Sequence, residues 1–90
     1  MNLEESRRVI NEIDGQLVAL FVKRMEAVVE VAKYKKEAGL PVLDRSRESV
    51  VLDRVAAMAG PELGGYARAL YECLMGLSRD YQHKLLDEGR

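Results

Sequence analysis

Apolar residues in the first third of the chain fall at Leu3, Ile10, Ile13, Leu17, Leu20, Ala27, Val28 and Val31, at intervals built from threes and fours. That is the period of one helix face packing along a narrow seam. No proline occurs between Leu3 and Ala38 and the only glycine there is Gly15, so the pattern predicts a single helix of about 36 residues. Gly39 suits a helix C-cap and Pro41 prevents the helix from resuming, which predicts a loop over 39–43. Asp44 then reads as the N-cap of a second helix over about 45–59, with Val51, Val55 and Met58 as its buried stripe. Gly60 and Pro61 break the pattern again, and Gly64 and Gly65 blur where it restarts. A third helix is expected from near Tyr66, carrying Leu70, Leu74, Leu77, Tyr81 and Leu85 at helical spacing towards a polar DEGR tail. No strand pattern or repeat is present, so the expected fold is all-α, with three helices in a single domain over 1–90.

The length of the first helix constrains assembly. About 36 residues at 1.5 Å each span roughly 54 Å, whereas the second and third helices would span roughly 20 and 35 Å. Two shorter helices cannot cover the whole seam of the first. The remainder calls for a second copy of the chain, so an intertwined homodimer is expected.

Composition narrows the class further. The chain is 48% hydrophobic and 32% charged, which excludes a disordered polyelectrolyte. Its longest apolar run, 17–22, is far short of the roughly 20 residues that cross a bilayer. MNLEESRR at the N-terminus has neither the apolar core of a secretory signal nor the composition of a transit peptide, and a cytoplasmic location is expected. One cysteine, Cys73, and one histidine, His83, give neither a disulfide framework nor a standard zinc site, so no metal is expected. A net charge of −1 provides no overall attraction to nucleic acid. Anion binding must come from local placement of cations.

Such a placement interrupts the seam. After Ile10, Ile13, Leu17 and Leu20 the next seam position is Arg24, and beyond Ala27 and Val31 the pattern reaches Tyr34 and Lys35. Arg24 and Lys35 are about three helical turns apart and project from nearly the same face, roughly 16 Å between α-carbons. One such residue is ordinarily explained by a long side chain lying over apolar surface with its charge in water. Two in register on a packed seam call for an anionic partner, because an unpaired buried charge costs several kcal/mol. Arg7 lies on the same general side but roughly 25 Å from Arg24, so it can serve that site only from the second subunit. Asp44 is accounted for as a cap, and Glu48 suits the positive end of the helix dipole. Ser78 and Gln82, an i, i+4 pair on the side shared with Tyr71, Leu74 and Leu85, place two polar groups where they can face the interior.

The segments RRVINEID at 7–14, KRMEAVVEVAKYK at 23–35, PVLDRSRE at 41–48 and SRDYQ at 78–82 together resemble the all-helical chorismate mutases over nearly the whole chain. That resemblance implies a site formed by Arg24, Lys35, Asp44, Arg47, Glu48, Ser78 and Gln82 of one subunit, with Arg7 contributed in trans. It implies the pericyclic rearrangement of chorismate to prephenate in phenylalanine and tyrosine biosynthesis, with no cofactor. Arg7 and Arg24 would bind the two substrate carboxylates, and Ser78 would assist one of them. Lys35 and Gln82 would donate to the ether oxygen, Glu48 and the Asp44 region would hold the ring hydroxyl, and Arg47 would steady the cluster. The related isochorismate pyruvate lyases share the fold and much of the cationic pocket, but Asp44, Arg47, Glu48 and Gln82 favour the mutase. A non-catalytic helical dimerisation module would explain the seam and leave Arg24, Lys35, Ser78 and Gln82 unexplained. Fusion to, or complex with, another aromatic-biosynthesis enzyme is an arrangement the family pattern accommodates.

Overall fold

The computed structural model describes residues 2–88, among which all regular secondary structure is helical. Helix α1 runs over Leu3–Ala38, the span expected from the uninterrupted pattern. Asn2 caps its start, its side-chain oxygen accepting from the Glu5 amide at 2.8 Å, with Glu4 and Glu5 at the positive end of the dipole. Gly39 ends it in the left-handed region (φ 68°, ψ 27°), where a side chain would be strained. The amides of Gly39 and Leu40 return to the carbonyls of Lys36 and Lys35 at 3.3 and 2.8 Å, so the last turn is closed by a Schellman motif.

Helix α2 runs over Arg45–Asp87 and corrects the expectation of three separate helices. Its start is as expected, the Asp44 carboxylate accepting from the Arg47 amide at 3.0 Å. The anticipated loop between a second and a third helix is reduced to one non-helical residue, Gly60, with φ 87° and ψ 173°. Helical geometry resumes at once, because Pro61 has its φ preset and lacks only the amide that a first-turn residue leaves unpaired. Gly64 and Gly65 therefore lie inside the helix rather than before it, and the start near Tyr66 is moved upstream. At Gly64 a Cβ would sit 2.8 Å from the Ala56 carbonyl oxygen, so the missing side chain permits the close approach that makes the fold-back tight.

The two limbs of α2, 45–59 and 61–87, run antiparallel. Glu48 pairs with Arg79, Asp53 with Arg68 at 2.8 Å, and Ala56 abuts Gly64, so partners descend along one limb as they ascend the other. Val51, Val55 and Met75 form the small core between them, flanked by Leu52 and Tyr71. The buried face of the second limb is carried by Met75, Ser78, Gln82 and Leu85. Much of the expected stripe lies on the other side: Tyr66, Leu70 and Leu77 are exposed, as is Met58 on the first limb. The reason is that both helices carry apolar residues on more than one face, and spacing alone does not say which face meets the rest of the chain.

Only the C-terminal half of α1 is covered, through Val28 and Ala32. Ile10, Ile13, Leu17 and Leu20, the regular part of the seam, stay about half exposed. The described residues extend 53 × 27 × 14 Å with a radius of gyration of 16.1 Å, against about 12 Å for a compact chain of this length. Among the described residues, no helix is long and apolar enough to cross a membrane.

Candidate active site

Where the C-terminal half of α1 crosses both limbs of α2, the three helical segments and the 39–44 loop border an open cavity of about 730 Å³. Of the eight residues singled out from the sequence, it is bordered by seven: Arg24, Lys35, Asp44, Arg47, Glu48, Ser78 and Gln82. Arg7 is not among them and lies exposed on the uncovered half of α1, as the helix length requires of a residue on the same chain. Val28, Val51, Val55 and Met75 supply the apolar part of the wall.

Arg24 is held in place by a short relay. Its Nη1 donates to the Ser78 hydroxyl at 2.9 Å, and that hydroxyl donates in turn to the Leu74 carbonyl one helical turn back at 2.9 Å. The second bond directs the hydroxyl proton away, so the oxygen presents a lone pair to the guanidinium. A hydrogen bond to a charged group is typically worth about 1.5–3 kcal/mol. The guanidinium also lies 5.8 Å from the Tyr71 ring centroid, near the outer limit for a cation–π contact. Lys35 donates to the Val42 carbonyl at 2.7 Å, which ties α1 to the loop and leaves two of its three N–H donors for a ligand.

The acceptors sit apart from these cations in sequence but on the same cavity. Asp44 is committed to capping, and its carboxyl is held below the ordinary value of 3.8 chiefly by the Arg47 amide, then by the Ser46 hydroxyl. Glu48, one turn later, is half-buried and pairs with the Arg79 guanidinium. Ser78 and Gln82 are each only 6% exposed, so both face the interior, as their helical spacing allowed. Gln82 Oε1 is buried without a hydrogen-bond partner. An amide oxygen buried in this way calls for a donor, while a ligand oxygen in the cavity would be met by the amide nitrogen of the same side chain.

Two further cations, Arg54 and Arg79, border the cavity and were not foreseen from the sequence. Arg54 carried a usable signal: it follows Arg47 by seven residues, two helical turns on the same face. Arg79 carried none, because its relevance depends on the limb opposite. Five cationic side chains thus face two carboxylates in a chain whose net charge is −1.

Five cations and two carboxylates around one partly apolar cavity in an all-helical fold give the chemistry suited to holding a small anion. Residues 6–83 match the family described as Chorismate mutase type II, and the chain belongs to that family. It is 36% identical over 53 residues to a chorismate mutase of Methanocaldococcus jannaschii, covering 59% of this chain and 54% of that protein. Over 48 residues it is 42% identical to a 3-dehydroquinate dehydratase of Pyrobaculum aerophilum, 53% of this chain and 16% of that one. A 4-amino-4-deoxychorismate mutase of Streptomyces venezuelae is 33% identical over 57 residues, 63% of this chain and 55% of the relative. The matched stretches therefore span about half the length of these relatives or much less. No solved structure matches the chain.

Proposed function

We propose that this protein converts chorismate to prephenate, without a cofactor, in a homodimer whose two cavities are each completed by Arg7 of the other subunit. What carries the reading is the convergence of seven of the eight expected site residues on one cation-rich cavity. The family match over 6–83 supports the same chemistry.

Chorismate is a dianion with an ether bridge and one ring hydroxyl. Arg24 and Arg7 grip the carboxylates with charge-assisted hydrogen bonds, and Ser78 fixes the orientation of Arg24. The flexible substrate is thereby held in the folded conformer that can rearrange. As the carbon–oxygen bond breaks and a carbon–carbon bond forms, negative charge grows on the ether oxygen. Lys35 and Gln82 donate to that oxygen more strongly in the transition state than in the ground state, which is where rate is gained. Glu48 and the Asp44 region accept from the ring hydroxyl, and Arg47 steadies the carboxylates beside it.

The homodimer is supported by the uncovered seam, since Ile10, Ile13, Leu17 and Leu20 lie half exposed along the N-terminal half of α1, which α2 does not cover. The match to a segment of a much longer dehydratase supports the further possibility of fusion to another enzyme of aromatic biosynthesis. The defining experiment follows loss of chorismate absorbance with purified protein and identifies the product. Prephenate formation is expected; unchanged chorismate, or release of pyruvate, would exclude the assignment.

A further inference from the structure

Arg79 has no place in the scheme above, yet it touches a residue that does. It borders the cavity from the second limb of α2 and pairs with Glu48 Oε1 on the first. Both side chains are partly shielded, at 32% and 23% exposure. The two carboxylates on the cavity differ in availability. Each keeps one oxygen unengaged, but Asp44 lies exposed on the loop, with its Oδ1 taken by the Arg47 amide and the Ser46 hydroxyl, whereas Glu48 is partly shielded inside the helix pair, with Arg79 on Oε1 and Oε2 left for a ligand. A dianionic substrate directs its carboxylates to the surrounding cations, so its one proton-donating ring substituent is the group that suits Glu48.

We propose that Arg79 is a specificity-determining residue that tunes the Glu48 acceptor to a neutral ring hydroxyl and against a ring ammonium. The proposal rests on the mutase reading. With Arg79 against it, the Glu48 carboxylate is already countered, and it accepts from a hydroxyl without demanding positive charge. An ammonium at the same point would share the carboxylate with the Arg79 guanidinium on its other oxygen. At an intermediate effective dielectric that repulsion is large enough to change relative rates by roughly tenfold, after allowance for partial exposure. The distinction matters in this family, because one relative is a mutase of 4-amino-4-deoxychorismate, which carries the amine in place of the hydroxyl.

The test measures kcat/KM for chorismate and for 4-amino-4-deoxychorismate with the full chain, Arg79→Gln, Arg79→Lys and Glu48→Gln. The unsubstituted protein is expected to favour chorismate. Arg79→Gln should move the ratio roughly tenfold towards the amine, while Arg79→Lys, which keeps the charge, stays close to the original ratio. Glu48→Gln leaves Arg79 uncompensated and should depress the amine substrate more than chorismate. Because each variant is judged by a ratio, a reduced folded fraction affects both substrates equally. Parallel losses on the two substrates in both Arg79→Gln and Glu48→Gln would overturn the proposal and leave Arg79 as a structural prop. A starting preference for the amine would overturn it as well. Absence of turnover with either substrate in the unsubstituted chain would instead bring down the mutase reading beneath it.

Discussion

Arg24 and Ser78 are 54 residues apart in the chain and meet at 2.9 Å across the interface between α1 and the second limb of α2. The bond joins a cation that the α1 seam does not need for packing to a buried hydroxyl that the α2 core does not need either. Removing the hydroxyl with Ser78→Ala should leave the fold in place and loosen the guanidinium. A fall in kcat/KM for chorismate of about ten- to a hundredfold is expected, the equivalent of a charged hydrogen bond. Steady-state kinetics beside an unchanged circular dichroism spectrum would check it.

Gln82 offers a sharper probe of the ether-oxygen contact. Gln82→Glu replaces a permanent donor with a carboxylate that only accepts when ionised, so activity at neutral pH should drop by about 10²–10³. Burial raises the pKa of an introduced carboxyl, so protonation as the pH falls restores the donor and part of the rate. A pH–rate profile parallel to that of the unsubstituted protein would count against the contact.

The subunit-shared site predicts complementation. Arg7→Ala and Lys35→Ala chains should each be nearly inactive, and mixing them under conditions of subunit exchange should regenerate one intact site per heterodimer. Recovered turnover, with exchange verified by mass spectrometry, is the expected outcome. Continued inactivity would place Arg7 outside the site.

Gly60 and Gly64 hold the fold-back by different means. Gly60 occupies backbone angles open almost only to glycine, and Gly60→Ala should cost about 1–3 kcal/mol. Gly64→Ala forces a methyl against the Ala56 carbonyl, at a similar cost of about 1–3 kcal/mol. Both should lower the thermal midpoint, and both should weaken activity by displacing Glu48 from Arg79. Unchanged melting of Gly64→Ala would show that the limbs can separate at that point without consequence.

Asp44 links stability to acid. Its folded-state carboxyl lies below the ordinary value, so its contribution is complete above the unfolded-state range and is lost as the pH falls through the lowered folded value. Asp44→Ala should therefore melt at a lower temperature than the unsubstituted protein at neutral pH. The difference should vanish in strong acid, as thermal melts across the acid range would reveal.

The bounds of α1, its glycine stop and the Asp44 cap were legible in the sequence because each is decided within three or four residues. Backbone sterics at Gly39, the helix-blocking ring of Pro41 and carboxylate-to-amide bonds at Asp44 need no knowledge of distant neighbours. The cations on the seam were legible for the same reason, since helical periodicity alone placed Arg24 and Lys35 on one face. Tertiary structure decided what periodicity leaves open: that α2 turns back at one residue, which of its apolar faces is buried, and that Glu48 meets Arg79. Those outcomes depend on contacts between residues tens of positions apart. Such contacts are selected by how two surfaces fit, here by the clearance that Gly64 leaves at the Ala56 carbonyl and the register it sets along both limbs.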